Sequence, residues 1–96
     1  MTVEDSERDS ELDVEQQVLE VFLGVAPDVD PARLRRNEPF RDQFDFDSMD
    51  TLNFAIGLHK AFGIEIPETQ YRELASLTKS TAFVIRQLAG KAETGK

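Results

Sequence analysis

DSMDTLNFAIGLHKAFG, residues 47–63, decides the fold. Asp47 and Asp50 stand in the relative positions of a capping pair and Gly63 stands where a helix would stop, so a helix is expected from Asp47 or Ser48 to about Phe62. Projected at about 100° per residue, Thr51, Phe54, Ala55, Leu58 and Phe62 form one apolar stripe. Met49, Leu52 and Ile56 form a second stripe nearly opposite. Asp50, Asn53, Gly57 and Lys60 lie between them on one side and His59 on the other. A helix in a small bundle needs only one core-facing stripe. Either the preceding loop packs Phe40, Phe44 and Phe46 over the second stripe, or that stripe is an exposed ridge for a partner.

Working outward, Leu12, Val14, Val18, Leu19, Phe22 and Leu23 recur at three- and four-residue spacings, which predicts a first helix from about Glu11 to Leu23, closed by Gly24. A long connection, about Val25 to Asp47, contains Pro27, Pro31 and Pro39. Asp30-Pro31 reads as a cap followed by proline, opening a short turn through Ala32, Arg33, Leu34 and Arg35. Loops this long inside a small domain are usually functional. After Gly63, Ile64 and Ile66 are candidate core anchors and Pro67 forces an extended residue before it. A brief helix over Thr69 to Leu74 and a final one from about Lys79 to Ala89, capped by Thr78 or Ser80 and closed by Gly90, complete the chain. Sustained strand alternation is missing, so the fold class is all-α: a small four-helix bundle of three main helices and one short one, with a long loop between the first two.

The chain has 96 residues and a net charge of -8. This length supports one domain with an adequate core and no deep interdomain cleft, which disfavours an enzyme. The pI near 4.5 argues against nucleic acid, since phosphate binding needs clustered Lys and Arg. Residues 1–20 carry a net -7, so the first ten are expected as a disordered acidic tail, residues 11–90 as the domain and residues 91–96 as a second tail. No cysteine is present, which removes disulfides, thiolate metal sites and any thiol nucleophile. Neither a signal peptide nor a membrane span is evident, so a cytoplasmic, monomeric protein without membrane insertion is expected.

The segment FRDQFDFDSMD, residues 40–50, gathers Asp42, Asp45, Asp47 and Asp50 around one hydroxyl, Ser48. A calcium loop starting at Asp45 fails, with Met49 at its fifth position, Asp50 where Gly is required and Ile56 where the bidentate Glu belongs. His59, the single histidine, has no metal-binding companion and is expected to face solvent. No nucleophile is paired with a base. Read alone, Ser48 is a helix cap.

Its surroundings change that reading. Asp47-Ser48-Met49 after a long loop resembles the Asp-Ser-Leu signature of acyl carrier proteins, and Phe62 with Glu65-Ile66-Pro67 follow at the family's spacing. The resemblance extends from the first helix through the last. It implies that Ser48, next to Asp47, accepts 4'-phosphopantetheine from coenzyme A, transferred covalently by a magnesium-dependent phosphopantetheinyl transferase. It also implies that the outer face of the central helix, with Met49, Asp50, Leu52, Asn53 and Ile56, meets acyl-loading and acyl-using enzymes.

Two departures qualify the likeness. Bacterial fatty acid carriers usually bear several acids along this helix, where this chain has Asn53, His59, Lys60 and Ala61. Charge complementarity mainly sets partner choice and encounter rate, so dedicated partners are expected. The last helix also enters loosely, through Leu77-Thr78-Lys79-Ser80-Thr81. The resulting expectation is a free-standing acyl carrier, not an enzyme, for a specialised lipid, fatty acid or secondary-metabolite pathway. The alternatives are a peptidyl or aminoacyl carrier of a nonribosomal pathway and an unmodified carrier-like interaction module.

Overall fold

The computed structural model describes the backbone of residues 3–94 and the side chains of residues 11–90. Four α-helices follow in order, α1 (Val3–Val25), α2 (Phe40–Gln43), α3 (Ser48–Phe62) and α4 (Leu77–Thr94), with 3-10 turns at Pro31–Arg33 and Glu68–Leu74. No strand occurs among the described residues. The all-α expectation therefore holds, and α1 packs against both α3 and α4.

The central helix has the expected ends. Asp47 caps it, and Gly63, at φ 67°, closes it in the left-handed conformation while its N–H donates to the His59 carbonyl at 2.8 Å. The Asp30 carboxylate accepts from the Ala32 N–H at 3.0 Å and Pro31 opens the turn, as the sequence predicts.

Other boundaries differ. The backbone is helical from Val3, so α1 includes residues 3–10, expected as a disordered tail. Extending a formed helix is far easier than nucleating one. Gly24 does not close α1, because Pro27 two residues beyond the end is the stronger stop. Likewise α4 continues past Gly90 to Thr94, beyond the expected end of the domain. At its front, α4 starts at Leu77, ahead of both expected caps. The acceptor is Ser76, whose hydroxyl takes the Lys79 N–H at 3.1 Å. Ser80 instead donates its hydroxyl to the Ser76 carbonyl at 2.7 Å and is buried. Residues 1–2 and 95–96 lie outside the described residues.

The core is built on four phenylalanines from three elements and a loop. Phe22 of α1 stacks on Phe40 with ring centroids 4.1 Å apart, and Phe54 of α3 meets both edge-on at 5.7 and 5.8 Å. Phe46 closes the group, 5.3 Å from Phe22 and from Phe40. Such contacts add to the gain from area burial alone. Val18, Leu58, Leu74, Leu77, Phe83 and Val84 extend the core, and Ile64 is buried as expected. Leu12, the first member of the predicted α1 stripe, is 55% exposed, so that helix's core-facing stripe starts at Val14.

The long loop is tied down at both ends. The side-chain amide of Gln43 donates to the carbonyls of Arg35 and Glu38 at 2.8 Å each, while its oxygen accepts from the Arg35 N–H at 2.7 Å. The Phe40 N–H donates to the Ala75 carbonyl at 2.7 Å and the Thr78 N–H to the Arg36 carbonyl at 3.0 Å. These bonds hold α2 beside the junction of the second 3-10 turn with α4.

Candidate functional site

Ser48 is the first residue of α3, and its position follows from the cap beside it. Asp47 and Asp50 satisfy each other's backbone, the Asp50 N–H donating to Asp47 Oδ1 at 3.0 Å and the Asp47 N–H to Asp50 Oδ2 at 3.1 Å. The Thr51 N–H makes the first bond of the helix, to the Asp47 carbonyl, at 3.0 Å. The first N–H groups of a helix have no partner within it. Here the N–H groups of Ser48 and Met49 remain open among the described residues. Ser48 is exposed, and its hydroxyl has no hydrogen-bond partner among the described residues. By contrast, the Thr51 hydroxyl one turn on donates to the Asp47 carbonyl at 3.2 Å. Ser48 thus offers a free hydroxyl, with its own N–H and that of Met49 open, at the end of a helix that favours anions.

The two stripes of α3 separate cleanly. Phe54, Ala55 and Leu58 are buried, with Thr51 and Phe62 half-buried beside them. On the other side Met49 is 61% exposed and Ile56 43%, with Leu52 half-buried between them and Asn53 exposed. The loop phenylalanines turn inward onto Phe22 and Phe54, so they do not cover this ridge. His59 is exposed, and its Nδ1–H donates to the Ile64 carbonyl at 2.7 Å, holding the loop after Gly63. No cluster of side chains able to hold a metal ion occurs among the described residues, and none of the helices there is long and apolar enough to cross a membrane.

A feature that the sequence did not reveal lies next to Ser48. A hollow of about 450 Å³ opens there between α2, α3, the second 3-10 turn and α4. Its apolar walls are Phe40, Phe46 and Leu74, all buried. Ser48, Thr51 and Tyr71 add hydroxyls, and Arg41, Arg72 and Lys79 add cations.

Residues 16–84 match the family model described as "Phosphopantetheine attachment site". The chain belongs to the phosphopantetheine attachment-site family of acyl carrier proteins. Within the carrier family it is similar to the acyl carrier protein of Tropheryma whipplei (strain Twist), 27% identical over 73 residues that cover 73% of this chain and 89% of that protein. The acyl carrier protein of Guillardia theta is 24% identical over 78 residues, covering 78% and 96%. A mitochondrial acyl carrier protein of Neurospora crassa is 24% identical over 75 residues, covering 78% of this chain and 56% of that protein. The carrier's prosthetic group is covalent 4'-phosphopantetheine. The residues present fit it: Ser48 offers an unengaged hydroxyl for a phosphodiester, and the two open N–H groups beside it suit an anion.

Proposed function

We propose that this protein carries acyl groups as thioesters on a 4'-phosphopantetheine arm attached to Ser48, and that it takes part in a specialised lipid, fatty acid or secondary-metabolite pathway. The observation that carries this reading is the exposed, unpartnered Ser48 hydroxyl at the head of α3, inside the segment matched to the attachment-site family. Attachment forms one bond and breaks one. Ser48 Oγ attacks the pyrophosphate of coenzyme A, an oxygen–phosphorus bond forms, the adenosine bisphosphate leaves, and the hydroxyl proton passes to a base of the transferase. When bound, the arm supplies the terminal thiol that holds the acyl group.

The protein's own residues then act as a platform. The open N–H groups of Ser48 and Met49 would hold the phosphodiester, and the Asp47–Asp50 capping pair fixes the helix end that carries them. With no cysteine in the chain, no protein thiol competes for acyl groups. Met49, Leu52 and Ile56 form the apolar part of a docking face for the transferase and for acyl-loading and acyl-using enzymes, with Asn53 beside them and Asp47 and Asp50 as acidic contacts. Few acids further along α3 point to dedicated partners, because charge patterning selects among them.

Incubation with coenzyme A and a broad-specificity phosphopantetheinyl transferase tests this. The intact mass should rise by one phosphopantetheine, and Ser48→Ala should abolish the gain. An unmodified interaction module would show the same ridge and no mass gain.

A further inference from the structure

The surface around Ser48 changes sign across the head of α3. On one side Arg41 of α2, Arg72 of the second 3-10 turn and Lys79 of α4 stand exposed about the serine, with Asp47 as the one acid among them. On the other side, under the turn after α1, Asp28, Asp30, Asp45 and Asp50 face Arg33 alone around a hollow of about 720 Å³. Phe46 borders both groups, so the two flanks meet along the segment that leads into Ser48. The cationic flank is fixed by backbone bonds, from the Phe40 N–H to the Ala75 carbonyl at 2.7 Å and from the Thr78 N–H to the Arg36 carbonyl at 3.0 Å. These join α2, the 3-10 turn and the start of α4 into one face.

Resting on the proposed attachment at Ser48, we infer that the enzymes docking here present a split rim, with carboxylates against Arg41, Arg72 and Lys79 and basic side chains against the aspartates across the helix head. The arm starts at Ser48, so an enzyme acting on it closes over both flanks. A uniformly basic rim would set like charges against the three cations. A uniformly acidic rim would set them against the aspartates. Like-charge contacts across an interface suppress a partner, whereas matched ones speed its encounter and fix its register. A split rim alone matches both flanks, and it sets the rotation of the partner about the arm.

The probe is the phosphopantetheinyl transferase of the protein's own source, because attachment requires that it reach Ser48. Initial rates of modification, read by intact mass, give kcat and KM for the wild-type carrier and for the combined variant Arg41→Glu, Arg72→Glu, Lys79→Glu. At low salt the reversal should raise KM by about tenfold or more with kcat nearly unchanged, since complementarity acts mainly on encounter. The difference should shrink at about 0.5 M salt, where exposed charges are screened. A second reading uses the wild-type protein and so does not depend on the variant folding. Carbodiimide treatment of the carrier–transferase complex condenses an amine with a carboxylate into an amide, the reagent taking up the water. Peptide mass spectrometry should then find Lys79 Nζ joined to an Asp or Glu of the transferase.

A lower KM for the reversal would overturn the inference, since it puts basic side chains against this flank. An unchanged KM would overturn it by leaving the flank outside the interface, as would a complex that cross-links elsewhere with Lys79 unlinked. The carrier assignment survives all three results. Wild-type protein that gains no mass removes that assignment and the inference with it.

Discussion

Asp47 and Asp50 cap α3 reciprocally, each carboxylate accepting the other residue's backbone N–H, at 3.0 and 3.1 Å. Losing one such acceptor costs about 1 kcal/mol, which lowers the melting temperature of a domain this size by roughly 4–8 °C. Asp47→Ala should show that drop in a thermal melt followed by circular dichroism. Asp47→Asn keeps an acceptor and loses the charge, so it should melt close to wild type while slowing modification by the transferase. Equal loss of stability in both variants would mean that the charge, and not the acceptor, holds the helix end.

The ridge opposite the core gives a second separation of stability from function. Ile56→Glu on this half-exposed position should change stability by less than about 0.5 kcal/mol. Affinity for an acyl-transferring partner should fall by roughly tenfold, the usual cost of losing an apolar anchor. Surface plasmon resonance against such a partner, beside a thermal melt, reads both effects.

Much of this was legible in the sequence because its signals were local. The cap at Asp47, the stop at Gly63 and the inward stripe through Phe54 and Leu58 all lie within one continuous segment. The failures were non-local or too short to carry a period. The four residues of α2 show no periodicity, and what places them is the bond from Phe40 to the Ala75 carbonyl. The start of α4 was misplaced because Ser76, Thr78 and Ser80 offer the same chemistry, and only the fold shows that Ser76 accepts the Lys79 N–H while Ser80 bonds back to the Ser76 carbonyl. Arg41, Arg72 and Lys79 are far apart in the chain and come together only through the fold.

The loop phenylalanines belong to the core, and this has a measurable cost. Phe40 is 1% exposed and stacked on Phe22, so Phe40→Ala should destabilise the protein by about 3–5 kcal/mol, enough to unfold much of a small domain. A urea titration followed by circular dichroism measures the loss. A cost below about 1 kcal/mol, typical of a surface change, would place the loop outside the core.

Two glycines respond in opposite directions. A Cβ on Gly57 would meet Val21 Cγ1 at 2.7 Å, where α1 and α3 cross closely, and the stiff valine cannot easily turn away. Gly57→Ala should therefore lower the melting temperature, the clash outweighing the roughly 1 kcal/mol gained in helix propensity. Gly24 has nothing within 4 Å and lies inside α1, so Gly24→Ala keeps that gain and should melt higher.

The central claim is that Ser48 is the point of attachment, and intact mass spectrometry after incubation with coenzyme A and a phosphopantetheinyl transferase tests it most directly. The wild-type chain should gain one phosphopantetheine, localised to the peptide containing Ser48, and Ser48→Ala should gain none. A wild-type mass left unchanged by several broad-specificity transferases, or a Ser48→Ala protein that is still modified, would contradict the account.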